Sequence, residues 1–498
     1  MCTVLYQSKR IELLIFLSEV CMVLYEELAD DVEGLIRRGV YKPGERLPSV
    51  RELSKQYGRS ISTVIRAYLR RESKGFISSR PQCGFYVCDS SASTDDGPVL
   101  PILPSTPVSV SSPVEVSRLV LSTLRRIQVD HAVPLGSPYP DAAALPFDKL
   151  NRIAAKIGRS RKMWGVGDAL PPENYDLVRQ IAKRHLDGGL VVDPNQIIVT
   201  VGATEAINLA LQAVASRGDT VAVESPTFYA MLHAIERLGM RAIEVPTHPM
   251  LGIDTDALSG LIKRDHVKAC MLMPNFQNLL RFEMPDEKKE DLMTLLGEHE
   301  IPVVENAVYN ELYFGKAAPT TLKKFDRKGL FVTCASFSKS LTAAYRIGWV
   351  IAGVYRDKIE NLKFINTLTS PPIPQMAIAE FLETGGYERH LRRLRKNYAY
   401  QTKLIRALIH RFFALRDSDF RTARGLRLVG GDAFQGGCDG EVYRQALERG
   451  ITVGPGHMFS NFENTYRNFI RINCSSPWFS RIEEALVTVG KIVAYLSQ

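Results

Sequence analysis

A small, mainly helical N-terminal unit followed by a large α/β domain is the fold class that this sequence predicts, and three observations carry the prediction. Short amphipathic segments broken by Pro and Gly fill the first 88 residues. From about Val133 onward, apolar strand-like runs alternate with helix-period runs. Between them, Asp89 to roughly Val114 is rich in Ser and Pro, the composition of a semi-extended linker. A chain of 498 residues with 45% hydrophobic content can bury a large core and is long enough for two or three domains.

Residues 1–22 read as an N-terminal extension. Its apolar stretch from Ile11 to Leu24, preceded by Lys9 and Arg10, has the outline of a signal peptide. Glu12 and Glu19 interrupt it and no convincing cleavage site follows, so the alternatives are an unusual extension or a translation start at Met22.

Residues 23–88 carry the first machine. Y-E-E-L-A-D-D-V-E-G-L-I-R-R-G from Tyr25 places Leu28, Val32, Leu35 and Ile36 on one face of a helix ending at Gly39. A Pro/Gly turn leads to a second helix starting near Ser49. After Gly58 a third begins, with Ser60 as N-cap and Val64, Ala67 and Tyr68 on one face. Two short helices joined by a Gly-containing turn form a helix-turn-helix, whose second helix enters the major groove of DNA. Ser60, Ser62 and Thr63 lead that helix, and F-I-S-S-R-P-Q-C-G-F-Y-V from Phe76 reads as two short strands around a Gly turn, a wing. Twelve Lys/Arg against eight Asp/Glu between Val23 and Cys88 leave +4, which fits a phosphate-contacting surface. The acidic residues fall mostly on the first helix; Arg51, Lys55, Arg59, Arg66, Arg70, Arg71, Lys74 and Arg80 fall on the later elements.

Residues 89–118 are read as a loose linker, and residues 119–498 as the α/β domain. V-V-D-P-N-Q-I-I-V-T-V-G-A-T-E-A-I-N-L-A-L (Val191 to Leu211) is an apolar strand, a small-residue turn and a helix. Gly202, Ala203 and Thr204 therefore sit at a helix N-terminus, where backbone N–H groups and the helix dipole favour an anion. P-N-F-Q-N (Pro274 to Asn278) and V-V-E-N-A-V-Y (Val303 to Tyr309) each follow a strand-like run. S-F-S-K-S-L-T-A-A-Y-R places Lys339 after two hydroxyls and seven residues before Arg346. A lysine amine can condense with the aldehyde of pyridoxal phosphate, while Ser336, Ser338 and Arg346 supply donors and positive charge for a phosphate. F-I-R-I-N-C (Phe469 to Cys474) puts Arg471 on an alternating strand, where its guanidinium can grip a carboxylate.

Together these pieces, from roughly Val133 to Gln498, resemble the fold-type I aminotransferases. The resemblance implies Lys339 as the lysine that binds pyridoxal 5'-phosphate, Asn278 and Tyr309 at the ring oxygen, and Ala203, Thr204, Ser336, Ser338 and Arg346 at the phosphate. It also implies Phe228 in E-S-P-T-F-Y as the aromatic on the ring and Arg471 as the partner of a substrate carboxylate. The order helix, P-G-E-R-L-P-S-V-R-E-L, recognition helix, wing resembles the GntR-family regulators, in which residues matching Arg51, the start of the recognition helix and Gly84 contact DNA. Ile61 departs from the arginine of many members. Both halves in this order resemble the MocR-type subfamily.

The implied fold is thus an N-terminal winged helix-turn-helix, mainly α, plus a large α/β type I transferase fold with a small C-terminal α/β subdomain. The implied function is a cytoplasmic, homodimeric, DNA-binding transcription regulator that senses pyridoxal phosphate or its adduct with an amino acid or amine. Its partners are a double-stranded DNA operator and that small-molecule effector. The alternatives are an active aminotransferase and a cofactor-free regulator. Asn306 stands where the aminotransferases carry the aspartate that keeps the ring nitrogen protonated, which predicts weak turnover. Asn278 is followed by Leu-Leu-Arg instead of Pro-Leu-Gly, Glu173 replaces a glycine, and Gly430 to Gly440 looks shortened. Eight cysteines at irregular spacing argue for reduced thiols, Cys83 and Cys88 have no ligand histidines for a metal site, and no span of eighteen uncharged apolar residues suggests a membrane segment.

Overall fold

The structure, a computed structural model, describes residues 27–36, 38, 40–42, 44–73, 77–80, 84–87, 105–118, 120–121, 132–160, 173–315, 317–413, 427–430, 439–462, 464–476 and 480–496. The extension 1–22, the linker stretch 89–104, the wing tip 81–83, Cys83, Cys88, Gly39 and residues 431–438 lie outside the described residues. Two compact units divide the chain, 1–99 and 100–498.

In the first unit, helix α1 spans 27–36, α2 is Val50–Tyr57, and α3 is Ile61–Ser73. Strands β1 (Ile77–Arg80) and β2 (Gly84–Val87) pair antiparallel, Arg80 opposite Gly84. The expected apolar faces meet: Leu28, Val32, Ile36, Leu53, Val64, Ala67, Tyr68, Ile77 and Val87 share one core. A capping box starts α2, with Ser49 Oγ accepting from Glu52 N at 3.2 Å and the Glu52 carboxylate accepting from Ser49 N at 2.7 Å. Gly58, with φ 59°, ends α2 in the left-handed conformation that makes the tight turn to α3.

The second unit is built on a nine-stranded sheet in the order β3-β6-β5-β8-β9-β10-β11-β4, with β7 beside β6. Its strands are β3 (Ser112–Pro113), β4 (Ile197–Thr200), β5 (Thr220–Ser225), β6 (Arg241–His248), β7 (Gly252–Ile253), β8 (Val267–Leu272), β9 (Val303–Asn306), β10 (Phe331–Ser336) and β11 (Gly348–Ile351). Strands β6, β5, β8, β9 and β10 are parallel neighbours, and only β11 among the seven central strands runs the other way. Helices cover both faces, as buried parallel strands require. On one side lie α4 (Phe147–Ser160), α5 (Tyr175–Asp187) and α6 (Gly202–Val214). The other side packs on two helices. Helix α7 (Tyr229–Arg237) precedes β6, and the two helices of that other side are α8 (Thr255–Asp265) and α9 (Asp286–Glu298). Helices α10 (Arg356–Asn366) and α11 (Pro372–Glu383) lead into the long α12 (Gly386–Phe412). The chain ends in a small subdomain with its own core, where β12 (Arg427–Gly430), α13 (Asp439–Glu448), β13 (Gly454–Pro455), β14 (Ile470–Asn473) and α14 (Ser480–Leu496) follow α12. Its sheet order is β12-β14-β13.

Two expectations are corrected. Residues 105–118 are no loose linker: β3 pairs with the sheet edge at β6, and Ser105, Ser109 and Ser111 each bond to that edge or to β5. The hydroxyls that suggested a solvated segment serve as its anchors. Arg71 is no surface cation either. It is fully buried, donates to Ala29 O at 2.6 Å and pairs with Asp30 and Glu33, so it ties α3 to the acidic face of α1. Glu173, in place of a glycine, is likewise structural: it pairs with Lys363 at 3.0 Å inside the protein and accepts from Gln375 Nε2 at 2.7 Å.

Strand β11 approaches the first turn of α6 as closely as backbone allows. A Cβ on Gly348 would lie 2.6 Å from the carbonyl carbon of Gly202, 2.7 Å from Ala335 O and 2.9 Å from Ala203 N. Gly348→Ala should therefore destabilise the second unit by about 1–3 kcal/mol, read as a lower urea midpoint. An unchanged midpoint would contradict this packing.

Candidate functional site

The carboxyl ends of five parallel strands line one edge of the sheet, the position at which open α/β sheets take ligands. Strand β4 leads into Gly202, Ala203 and Thr204 at the start of α6, and that helix has no side-chain cap. Arg346 lies against this turn: its Nη2 is 3.4 Å from Val201 O, and a Cβ on Gly202 would come within 2.5 Å of it. Gly202, at φ +75°, is thus required by both conformation and space. Strand β5 leads to Phe228, half-buried at the start of α7, whose ring centroid is 4.5 Å from that of Tyr229. Strand β8 leads to Asn278, and Gln277 ties that loop to the turn before Phe228 by donating to Pro226 O at 2.6 Å.

Strand β9 ends at Asn306, in register with Cys334 of β10, and Tyr309 follows, buried. Strand β10 ends at Ser336 and turns through Phe337, Ser338 and Lys339. The turn is fixed from behind. His390 Nε2 is 2.7 Å from Ser340 O, Tyr387 Oη is 2.7 Å from Ser340 Oγ, and Tyr387 in turn bonds to Glu311. At or after the ends of β8, β9 and β10 come buried polar atoms without a hydrogen-bond partner among the described residues: both amide atoms of Asn278, Oδ1 of Asn306 and Oγ of Ser338, the last next to Lys339 in the chain. Buried polar groups are rarely left so, and a cluster of them at strand ends marks a place for a polar ligand.

A segment absent from the sequence reading completes the site. Lys339 Nζ donates to Pro138 O at 2.8 Å and lies 4.0 Å from the ring centroid of Tyr139. Two residues earlier, Gly136 O accepts from Arg471 Nη2 at 2.6 Å. Gly136 to Tyr139 therefore joins Lys339 to Arg471, which is only 1% exposed and lies 5.0 Å from the Phe459 ring, not on a solvent face. The available signal was G-S-P-Y-P, an aromatic between prolines after a glycine.

In the first unit, Ser60 Oγ caps α3 by accepting from Thr63 N at 3.1 Å, and the Ser60 and Thr63 hydroxyls are 2.8 Å apart. Thr63 is buried, so it does not present its hydroxyl outward as expected. Arg51 is exposed on α2. Ile61 and Ile65 are 49% and 40% exposed, one helical turn apart on α3. Ser62 lies in the first turn of α3 and Arg80 ends β1; their side chains lie outside what the structure describes. Gly84, at φ +100°, opens β2 with the Arg46 guanidinium against it.

Residues 141–487 match the aminotransferase class I and II family, and residues 24–87 match the bacterial regulatory proteins of the gntR family. The HTH-type transcriptional regulator YdcR of Escherichia coli (strain K12) is 36% identical over 474 residues, 95% of this chain and 99% of that protein. The regulator YjiR of the same strain is 35% identical over 476 residues, with the same coverage. The second unit shares its fold with LysN, an α-aminoadipate aminotransferase from Thermus thermophilus solved with N-(5'-phosphopyridoxyl)-L-leucine. That likeness has a TM-score of 0.66 at 23% identity, over 75% of this chain and 97% of that one. Kynurenine aminotransferase of Pyrococcus horikoshii gives a TM-score of 0.68 at 21% identity, over 76% and 95%.

Two carboxyls lie buried in the sheet beside the site. Burial pushes Glu224 of β5 up to about 8, against the hydrogen bond it accepts from Met273 N. Burial pushes Glu305 of β9 up to about 7, with the Lys289 ammonium opposing. Both values exceed the ordinary 4.5, so the folded chain holds these protons more tightly than the unfolded one. The stability they contribute is complete below the unfolded value and is lost as pH rises through 7 to 8. The melting temperature of the second unit should fall between about pH 5 and about pH 9, and less steeply in Glu224→Gln. Identical slopes in the two proteins would contradict the assignment.

Proposed function

As this chain belongs to the MocR-type branch of the GntR family, a winged helix-turn-helix joined to a class I and II aminotransferase domain, we propose that it is a DNA-binding transcription regulator whose larger unit binds pyridoxal 5'-phosphate and senses it, or its adduct with an amino acid or amine. The observation that carries the reading is the set of unsatisfied buried groups on Asn278, Asn306 and Ser338, at or after the ends of the parallel strands β8, β9 and β10, the last of which leads to Lys339. A ring with a phenolic oxygen, a ring nitrogen and a phosphate matches that donor set.

When bound, pyridoxal 5'-phosphate supplies a reactive aldehyde carbon and an electron-accepting ring. Lys339 is the residue that holds it covalently. Ser336, Ser338, Arg346 and the N–H groups of Ala203 and Thr204 hold the phosphate, adding a guanidinium to an uncapped helix N-terminus. Phe228 covers the ring, Asn278 and Tyr309 donate to its oxygen, and Arg471 takes a carboxylate of the effector. Asn306 faces the ring nitrogen. A neutral amide can hydrogen-bond that nitrogen but cannot hold its proton by charge, so the site favours binding over turnover. Glu305 does not substitute for it, because adjacent residues of β9 point to opposite faces; its carboxyl bonds instead to Asn310 Nδ2, at 3.5 Å, and to the backbone of Leu322.

The DNA face is the α2–α3 pair with the wing. Arg51, Arg80 and the Gly84 backbone take phosphates, the N-terminal turn of α3 with Ser60 and Ser62 enters the major groove, and the exposed Ile61, where many family members place an arginine, and Ile65 suit thymine methyl groups. A homodimer covers Phe364, Ile365 and Leu368, apolar residues left exposed around the end of α10. No helix among the described residues is long and apolar enough to cross a membrane, and we place the protein in the cytoplasm, with the DNA.

Titrating the purified protein with pyridoxal 5'-phosphate should produce a visible absorption band that is lost in Lys339→Ala. Asn306→Asp should shift that band to longer wavelength and raise turnover with an amino donor and a keto acceptor by about tenfold or more. A band that survives in Lys339→Ala would overturn the assignment of the site. No change of band or rate in Asn306→Asp would remove the argument that this residue separates sensing from catalysis.

A further inference from the structure

We infer that residues 105–118 and 120–121, on the side of the chain toward the DNA-binding unit, form a strap clasped by Glu244 to both subdomains of the effector domain, so that the state of the pyridoxal phosphate site and the hold on this strap are coupled. The inference rests on the reading of that site proposed above. It is carried by a chain of contacts that begins at the strap and ends at the site wall.

Ser105 N donates to Thr247 O at 3.1 Å, and its hydroxyl donates to Ser225 O at 2.6 Å while accepting from Thr247 N at 2.8 Å. Ser109 Oγ donates to the backbone oxygen of Glu244 at 2.7 Å. Further along, Val116 N and Ser117 N both donate to the Glu236 carboxylate, at 2.9 and 2.8 Å. Hydroxyls and backbone of an otherwise extended segment are thus bound to β5, β6 and α7 at four successive points.

Glu244 supplies the other half of the clasp. Its carboxylate is 1% exposed and accepts from Ser225 Oγ of β5, from Ser460 Oγ at 2.7 Å and from Asn461 N at 2.6 Å. Ser460 and Asn461 belong to the loop that follows the turn Gly456–Phe459 of the small subdomain. The Asn461 amide then returns to the strap, donating to Ser112 Oγ and to Pro113 O, each at 2.8 Å. Tyr466, from the same loop, closes the circuit at 2.7 Å from Ser225 Oγ. A buried carboxylate costs free energy unless every lone pair is used. Glu244 uses its own only while the small-subdomain loop stays in place.

The loop also touches the ligand site. Phe459 O accepts from Thr227 N at 2.8 Å, next to Phe228, and the Phe459 ring lies 5.0 Å from Arg471. The strap reaches the same place directly. Val120 is fully buried in a cluster with Tyr229, Leu279, Met458 and Phe459, against which Phe228 also packs. A ligand that orders Phe228 or Arg471 therefore bears on residues that touch the strap through both polar and apolar contacts. Such coupling requires that the ligand bind better in one arrangement of the loop than in another.

Hydrogen exchange on the full chain tests this without knowledge of an operator. In the cofactor-free protein, Ser105→Ala should speed exchange about fivefold at Asn461 and Thr227 as well as at Thr247. Asn461→Ala should do the same at Ser105, with α9 unchanged in both variants as a control for global unfolding. If each variant affects only its own side, the clasp is overturned. Addition of pyridoxal 5'-phosphate should slow exchange at Ser105 and Asn461 together in the parent protein, and in Asn461→Ala the slowing at Ser105 should be lost. A visible band with unaltered exchange at Ser105 would overturn the coupling while leaving the site assignment intact. Absence of any band would overturn the site assignment and with it the coupling to pyridoxal phosphate, while the exchange of the two variants still decides the clasp itself.

Discussion

The close approach of β11 to the first turn of α6 is the constraint on which the larger unit depends. Gly348 and Gly202 meet where no side chain fits, and this lets the one reversed strand sit between β10 and β4. The same contact brings Arg346 against the N-terminal turn of α6 and sets the end of β10, from which Lys339 reaches Pro138 O and the Tyr139 ring. Loosening it would separate the charged groups of the site from the helix N-terminus before it disturbed any of them individually.

Local signals in the sequence were strong where structure is decided within a few residues. The β4-turn-α6 unit, the helix start near Ser49, the Gly58 turn and the Ser60 cap all follow from neighbours in the chain, and the structure has them where the residues indicate. Features decided by distant partners were not legible. Arg71 looks like any helix-surface cation until α1 folds its acidic residues over it. Arg471 sits on an alternating strand that could have faced water, and is buried because Gly136 brings a carbonyl to it across more than three hundred residues. Residues 105–118 have the composition of a linker, and only the edge of β6 turns their serines into anchors. Gly136 to Tyr139 escaped notice for the same reason, its meaning lying in contacts to Lys339 and Arg471.

In the proposed reading the position beside the ring nitrogen is the neutral amide of Asn306, while Glu224 and Glu305, buried in the neighbouring strands, are pushed toward the neutral form. A carboxylate at that nitrogen holds the ring protonated and strengthens it as an electron sink. A sensor needs only selective binding and a path from ligand to DNA-binding unit. The serines and the asparagine that clasp the strap lie on the segment with which the second unit begins, or, for Asn461, bond to it.

In this reading one chain couples a pyridoxal phosphate site to DNA. The most direct measurement is to select binding sequences from random double-stranded DNA and then titrate the selected site with the protein, at one fixed salt concentration, with and without pyridoxal 5'-phosphate. Coupling of site to DNA gives a sequence-specific site whose affinity changes by about fivefold or more on addition of the cofactor, and an affinity unchanged by the cofactor in Lys339→Ala. Selection of no preferred sequence, or the same cofactor effect in Lys339→Ala, would contradict it.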